Sequence, residues 1–408
     1  MSTLDTSVPP SSPSSEPLSR FGLSPADESF RQDVRALAQR ELAPRAAGAD
    51  RDGVFPPENL RALAEHGLLA LGVPREYGGR ASSTLQYALA MEELAAACSS
   101  TAVLVSVHNS LAADPVHHWG TPGQCERYLP AMARGETIGA FALTEQTAGS
   151  DAASLRTRAA RDGSGYRLNG NKVFITNSGL AGLYLVFATL DPSTGARGIT
   201  AFLLERDAPG LVIGPLEHKL GIRASATAQL YFEDCRLSAE QRLGDEGQGW
   251  RVAMSTLDGG RVGIAAQALG IGRAAYEAAL GRVAADPQAA GEQGRGWLLA
   301  DMYVRLEAAR LLVHRAAVLK DQGQRPTREA AAAKVYAAET AMWVAAQAMQ
   351  LGGEAACSLE SPFQRHLRDA KITEIYEGTS EIQRLILAEQ LLRDAGPLPE
   401  RQSSGDQV

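Results

Sequence analysis

Apolar residues recur with a period near 3.6 from about Ser24 to Arg134. Asp33-Val34-Arg35-Ala36-Leu37-Ala38 and Leu60-Arg61-Ala62-Leu63-Ala64 carry that period, and Met91-Glu92-Glu93-Leu94-Ala95 continues it. Pro56-Pro57, Gly78-Gly79 and Pro122-Gly123 punctuate the predicted helix ends. The texture changes near Gly139. Tyr166-Arg167-Leu168, then Asn169-Gly170, then Lys172-Val173-Phe174-Ile175-Thr176 predict a β-hairpin turning at Asn169-Gly170. Tyr184–Ala188, Ile199–Leu204 and Gln229–Phe232 predict further short strands, separated by clusters of Gly, Asp and Pro. From about Gly247 to Arg393 the chain is helical again, dominated by Ala, Leu and Arg. The order predicts an α+β multidomain chain: an N-terminal helical domain over 23–138, a middle β domain of barrel or sandwich type over 139–244, and a C-terminal helical domain over 245–395. No repeat of solenoid period is present.

Composition narrows the function classes. The 408 residues are 45% hydrophobic and 21% charged with a net charge of −7, an ordinary globular balance without a basic stripe. Nucleic acid is therefore not an expected partner, and no apolar run is long enough to span a membrane. Cys98, Cys125, Cys235 and Cys357 form no CxxC pair and fit reduced thiols in a cytoplasmic protein. His117-His118 are sequence neighbours that face different ways on a helix, so no metal site is expected. The first twenty residues are rich in Ser and Pro, with Asp5, Glu16 and only Arg20 as a basic residue. That pattern argues against a signal or transit peptide and predicts a disordered tail over 1–22, with a second over 396–408.

Four motifs could carry chemistry, and each has a plain structural explanation beside the functional one. Ala142-Leu143-Thr144-Glu145-Gln146-Thr147-Ala148-Gly149-Ser150-Asp151 offers small residues, hydroxyls and amides to a flat polar ring, or is an interdomain loop. Phe174-Ile175-Thr176 could stack on a cofactor, or belong to a strand core. Asp258-Gly259-Gly260-Arg261, read as opening a long helix, could hold a polar ligand group or be a surface ion pair. Ser380-Glu381-Ile382-Gln383 reads as a capping box with Ser380 as N-cap and Gln383 at N3. The preceding Glu377-Gly378 would set a carboxylate at a turn into a helix. Buried beside an apolar ligand it would have the raised pKa of a general base; otherwise it serves the helix dipole.

Taken in order, these motifs resemble the acyl-CoA dehydrogenase family, nearest the short-chain or butyryl-CoA branch. Ala142–Ser154, Leu220-Gly221-Ile222-Arg223-Ala224-Ser225, Phe232-Glu233-Asp234-Cys235-Arg236 and Ile372–Arg384 carry the resemblance, which spans about 24 to 393. It implies a C-terminal four-helix bundle and FAD between the β and C-terminal domains, in a homotetramer or homodimer. Phe141, Leu143, Thr144, Gly149 and Ser150 would line the flavin, with Ser150 also near the substrate. Phe174, Ile175 and Thr176 match a flavin-covering Trp-Ile-Thr triplet. Asp258, Arg261 and Gly378 would be substrate contacts, Thr379, Ser380 and Glu381 flavin contacts, and Glu377 the catalytic base. Some relatives place the base on the helix near Asp258, where this chain has Gly260.

The resemblance implies FAD-dependent α,β-dehydrogenation of a short-chain acyl-CoA to the trans-2-enoyl-CoA, as in fatty acid β-oxidation. Electrons would pass to an electron-transferring flavoprotein. Three departures stand out. Arg282 and Gln293 match residues that bind a neighbouring subunit's FAD, but the Phe-Gly usual between them is Ala285-Asp286. Gln350 and Gly353 fall in a Gln-Leu-Gly-Gly run shifted by one, and Gln146-Thr147 replaces a common Pro-Gly. A non-catalytic homologue that binds an acyl-thioester, a dehydrogenase of carrier-protein-bound acyl groups and an oxidase of the same fold are the alternatives.

Overall fold

The structure, a computed structural model, describes residues 23–396. The tail expected over 1–22 and nearly all of the one expected over 396–408 lie outside the described residues.

The N-terminal segment folds into α1 (Pro25–Leu37), α2 (Ala43–Asp52), α3 (Pro57–Glu65), α4 (Thr84–Ala97), α5 (Ser99–Ser106), α6 (Asp114–Trp119) and α7 (Pro122–Ala133). Ser24 caps α1 in a reciprocal box with Asp27, Thr121 caps α7 the same way with Gln124, and Pro25, Pro57 and Pro122 occupy first-turn positions where no N–H is needed. α4 and α5 are apolar around most of their circumference and are buried. Between α5 and α6 the chain stays helical but winds as a π-helix over Val107–Ala113, which re-aims the side chains that follow.

A single sheet follows, made of β1 (Gly139–Ala142), β2 (Arg158–Asp162), β3 (Gly165–Ile175), β4 (Leu183–Thr189), β5 (Ile199–Glu205), β6 (Leu211–Leu216), β7 (Ala228–Leu237) and β8 (Arg242–Leu243). Its order is β6-β7-β3-β2-β4-β5-β8, with β1 parallel to β4. One face packs on α6, α7 and the start of the next helix; the other closes on its own core around Tyr184, Phe202 and Phe232.

The hairpin expected at Asn169-Gly170 is not formed. β3 runs straight through both residues, and the turn lies earlier, between β2 and β3. Asn169 instead bonds the β7 residue Asp234, accepting its N–H at 2.9 Å and donating to its carboxylate at 3.1 Å. Gly170, at φ 140, marks a bulge in the register. A Cβ there would come within 2.8 Å of Thr157 Cα, so the glycine serves close strand approach and not a turn.

The C-terminal segment comprises α8 (Gly249–Ala284), α9 (Pro287–Ala290), α10 (Gln293–Asp321), α11 (Thr327–Gly352), α12 (Pro362–Thr373) and α13 (Ser380–Asp394). α8, α10 and α11 pack on one another, α12 lies against α8 and α11, and α13 lies against α11. α8 also lies against α4, because a Cβ at Gly270 would meet the Glu92 carbonyl at 2.3 Å; one apolar core therefore runs through both helical segments. The β6–β7 connection is pinned to α12, where Ile222 N–H donates to Asp369 at 2.6 Å. Burial raises that carboxyl to about 6. Helical segments and sheet thus meet along one seam.

Candidate active site

At the seam the α12–α13 turn carries Glu377 and Gly378, both in the left-handed region at φ 51 and 92. For glutamate that conformation is strained and must be held from outside. Gln383 Nε2 donates to the Glu377 carbonyl at 3.1 Å and to the Gly378 carbonyl at 3.0 Å. Lys334 Nζ donates to the Gly378 carbonyl at 2.7 Å. The expected capping box is corrected here. Thr379, not Ser380, is the N-cap and accepts from Ile382 N–H, while Gln383 reaches back to the turn carbonyls. Starting the helix one residue early leaves that amide within reach of both.

Glu377 as a residue is half-buried, yet both carboxylate oxygens are shut off from solvent and have no hydrogen-bond partner among the described residues. Burial raises its pKa to about 7 against the opposing charges of Arg261 and Lys334. A Cβ at Gly260 would sit 2.0 Å from Glu377 Oε2. The bare helix surface at Gly260 is therefore what gives the carboxylate its room.

The turn forms one side of a cleft of about 490 Å³. Its apolar end is lined by Val107 and Leu111 of the π-helical segment and by Trp250, Met254 and Leu257 of α8. The β domain contributes a rim of Phe141, Leu143, Thr144, Gly149, Ser150, Phe174 and Thr176, with Phe141 packing towards the apolar residues. Glu145 braces this rim. Its buried carboxylate accepts from Lys172 at 2.8 Å and from the N–H groups of Arg156 and Thr157 at 2.7 and 2.9 Å. Phe174 stands out from the end of β3 at φ 56 with 66% of its surface exposed. Phe174 is therefore not a core residue: its ring is open at the cleft.

Asp258-Gly259-Gly260-Arg261 does not open a helix; α8 begins at Gly249. Nor is its ion pair on the surface. Arg261 Nη1 meets Asp258 at 2.6 Å with both side chains buried. Arg261 lines the cleft and keeps one buried N–H, at Nε, without a partner among the described residues. Asp258 does not line it. Its carboxylate also accepts from Thr327 Oγ1 at 3.0 Å, so it aims Arg261 from behind.

The other expected positions divide. Ile175 is buried under the rim. Thr379 caps α13, Ser380 is buried with a hydroxyl that has no partner among the described residues, and Glu381 is exposed; none of the three lines the cleft. Arg282, Gln293, Gln350 and Gly353 are exposed. Arg282 lies on α8 roughly 30 Å beyond Arg261 at 1.5 Å per residue. The structure does not bring these four to the chain's own cleft. The Asp286 carboxylate caps α9, accepting from Gln288 and Ala289 N–H.

Several site residues went unread in the sequence. Lys334 is fully buried on α11 beneath the Glu377 turn. Its signal was available: it sits between Ala330, Ala331, Ala337 and Ala338, all buried at helical spacing, so a cation had to lie on the core face. Tyr376 is anchored through its hydroxyl to Gln267 at 2.7 Å, a pairing no local pattern reveals.

Comparison with known proteins bears on all three parts. The acyl-CoA dehydrogenase N-terminal, middle and C-terminal domain families match residues 24–136, 140–235 and 247–392. A short-chain-specific acyl-CoA dehydrogenase of Clostridium acetobutylicum is 44% identical over 91% of this chain and all of its own length. Butyryl-CoA dehydrogenase from Megasphaera elsdenii superposes with a TM-score of 0.89 at 41% identity, covering 92% of this chain and all of that one. A chain solved in work on the electron transferring flavoprotein of Acidaminococcus fermentans and flavin-based electron bifurcation gives a TM-score of 0.90 at 40% identity, with coverage of 92% and 100%. The protein belongs to the acyl-CoA dehydrogenase family.

Proposed function

We propose that the protein desaturates a short-chain acyl-CoA between Cα and Cβ, with Glu377 as the base that removes the α-proton. The observation that carries this reading is a carboxylate with both oxygens buried, unpartnered and poised near pH 7 at the apolar end of a cleft. A general base works best with a pKa near the working pH, and an unpartnered one is free to take a proton.

The rim residues fit FAD. Gly149 leaves open space on its α-carbon, Thr144, Ser150 and Thr176 offer hydroxyls, and Phe174 offers an open ring face. Ile175, Thr379, Ser380 and Glu381 would support the flavin from around that rim. When bound, FAD would accept the β-hydride, which no side chain can do. The chain's own groups would do the rest. Val107, Leu111, Trp250, Met254 and Leu257 would exclude water from a short acyl chain. Arg261, aimed by Asp258, and Gly378 would contact the substrate. The Glu377 carboxylate would take the α-proton, and charge would move onto the thioester oxygen. The Glu377 backbone N–H makes no hydrogen bond among the described residues and is free to meet that oxygen.

Electrons would go to an electron-transferring flavoprotein, a partner suggested by the Acidaminococcus work. A homotetramer or homodimer is proposed on two supports. Trp297, Val304 and Leu311 form an exposed apolar stripe on α10, spaced a heptad apart. Arg282, Gln293, Gln350 and Gly353 face outward, where they would reach a neighbour's FAD. Buried, unpaired Cys98, Cys125 and Cys235 suit a cytoplasmic location. No helix among the described residues is long and apolar enough to cross a membrane.

The test is the colour of the purified protein. A yellow protein bleached by butyryl-CoA without oxygen is expected. Colourless protein that cannot take up FAD would overturn the reading, and peroxide formation in air would mark an oxidase.

A further inference from the structure

Lys334 has no place in the chemistry above, yet it is among the largest side chains buried completely in the molecule. It lies on α11, in a stretch rich in alanine, and it does not line the cleft. Its ammonium donates to the Gly378 carbonyl at 2.7 Å. Gln383, on α13, donates to the same carbonyl at 3.0 Å and to that of Glu377 at 3.1 Å. Two helices therefore grip two consecutive carbonyls of a turn whose residues are both left-handed. We propose that Lys334 is a positioning residue for Glu377: it clamps the turn together with Gln383 and supplies, with Arg261, one of two fixed cations that face the buried carboxylate. This inference rests on Glu377 acting as the base.

The two cations are not equivalent. Arg261 is already paired with Asp258, and Arg325 also reaches that carboxylate at 3.4 Å. Lys334 makes no ion pair among the described residues; its hydrogen-bond partner there is a neutral carbonyl. Burial lowers its pKa to about 8, opposed by the charges of Glu377, Glu374 and Glu381, so it is still mainly charged at neutral pH. The other groups facing Glu377 are Tyr87 of α4 and Tyr376 beside it, both with hydroxyl pKa values pushed far up by burial and hence neutral. Lys334 is thus the less committed of the two positive charges that oppose the burial of Glu377. Removing that charge raises the pKa of Glu377. Removing the Gln383 amide loosens the turn without removing a charge.

The test titrates Glu377 directly in the full-length protein without substrate. The infrared carboxyl band is isolated as the difference from Glu377→Gln, first in the wild type and then in Lys334→Met, Lys334→Gln, Lys334→Arg and Gln383→Leu. Lys334→Gln keeps a donor but no charge; Lys334→Arg keeps the charge. The Glu377 midpoint should rise by about one pH unit in Lys334→Met and Lys334→Gln and stay near the wild type in Lys334→Arg and Gln383→Leu. The pH profile of flavin bleaching by butyryl-CoA should shift with it. Gln383→Leu should slow bleaching roughly tenfold at every pH, with its profile unmoved. If Lys334→Met does not fold, Lys334→Gln against Lys334→Arg decides. An unchanged midpoint in Lys334→Gln overturns the proposal, as does an equal shift in Lys334→Arg. A wild-type protein that never bleaches would sink the proposed function, while the infrared titration would still judge the clamp.

Discussion

The protein buries carboxylates in two opposite ways. Glu92 and Glu93, on α4, are 4% and 2% exposed and fully engaged. Glu92 meets Arg310 at 2.8 Å and Arg273 at 2.9 Å; Glu93 meets Arg273 at 2.6 Å and Arg31 at 2.7 Å. Burial alone would raise Glu92, but the Arg310 and Arg273 charges outweigh it and hold it at about 2. The Glu377 carboxylate is likewise shut off from solvent but has neither hydrogen bond nor ion pair among the described residues, so burial wins and lifts it to about 7. The first arrangement ties α1, α4, α8 and α10 into one core and has no proton to give or take near neutral pH. The second holds a proton at the edge of release. What separates the two carboxylates here is the number of committed partners, not whether their oxygens are buried.

The sharpest way to break the contrast is to remove a partner from the first site. Arg310→Met leaves the buried Glu92 with one cation fewer and should cost about 3–5 kcal/mol of stability at pH 7, read by denaturant unfolding. A loss under about 1 kcal/mol would show that the cluster is not the tie it looks. The two sites also differ in the sign of their pH dependence. Glu92, with its folded pKa depressed, contributes stability above its ordinary pKa near 4.5, and that contribution is lost as pH falls towards about 2. Glu377 has a raised folded pKa, so the fold favours its protonated form. Its cost is absent below about 4.5, grows between there and about 7, and is level above that. Glu377→Gln should therefore stabilise the protein by up to about 3 kcal/mol at pH 8–9 and change it little at pH 5. Equal effects at both pH values would refute the raised pKa.

A smaller stability effect tests the room around Glu377. Gly260→Ala gains about 1 kcal/mol of helix propensity, but its methyl would displace the carboxylate and press on Leu111. Stability should stay within about 1 kcal/mol of the wild type, while bleaching by butyryl-CoA slows roughly tenfold or more. Unchanged bleaching would mean that the free volume at Gly260 is not used.

Much of this arrangement was legible before the structure. The helical, β, helical order follows from apolar periodicity, and the Glu377 turn follows from a carboxylate and a glycine set before a helix start. The misreadings share one cause. Asn169-Gly170 has the composition of a turn, but Asp234 on a distant strand claims Asn169 and the close passage of Thr157 requires Gly170. Ser380 and Gln383 have the spacing of a capping box, but Thr379 takes the cap and the turn carbonyls take the glutamine. Asp258 and Arg261 read as exposed because their burial depends on α4, α11 and the π-helical segment closing over α8. Lys334 shows the reverse case: its helix face was readable, and only the partner waiting on that face was not. Local chemistry names the candidates, and tertiary contact decides which claim is met.

The central claim is that Glu377, buried and unpartnered, removes the α-proton. Rapid mixing of butyryl-CoA with the flavin-loaded Glu377→Gln protein, without oxygen and with absorbance followed in a single turnover, tests it most directly. The expected result is a yellow protein that retains FAD and bleaches slower than the wild type by roughly 10²–10⁴ or more. Bleaching at close to the wild-type rate would contradict the account.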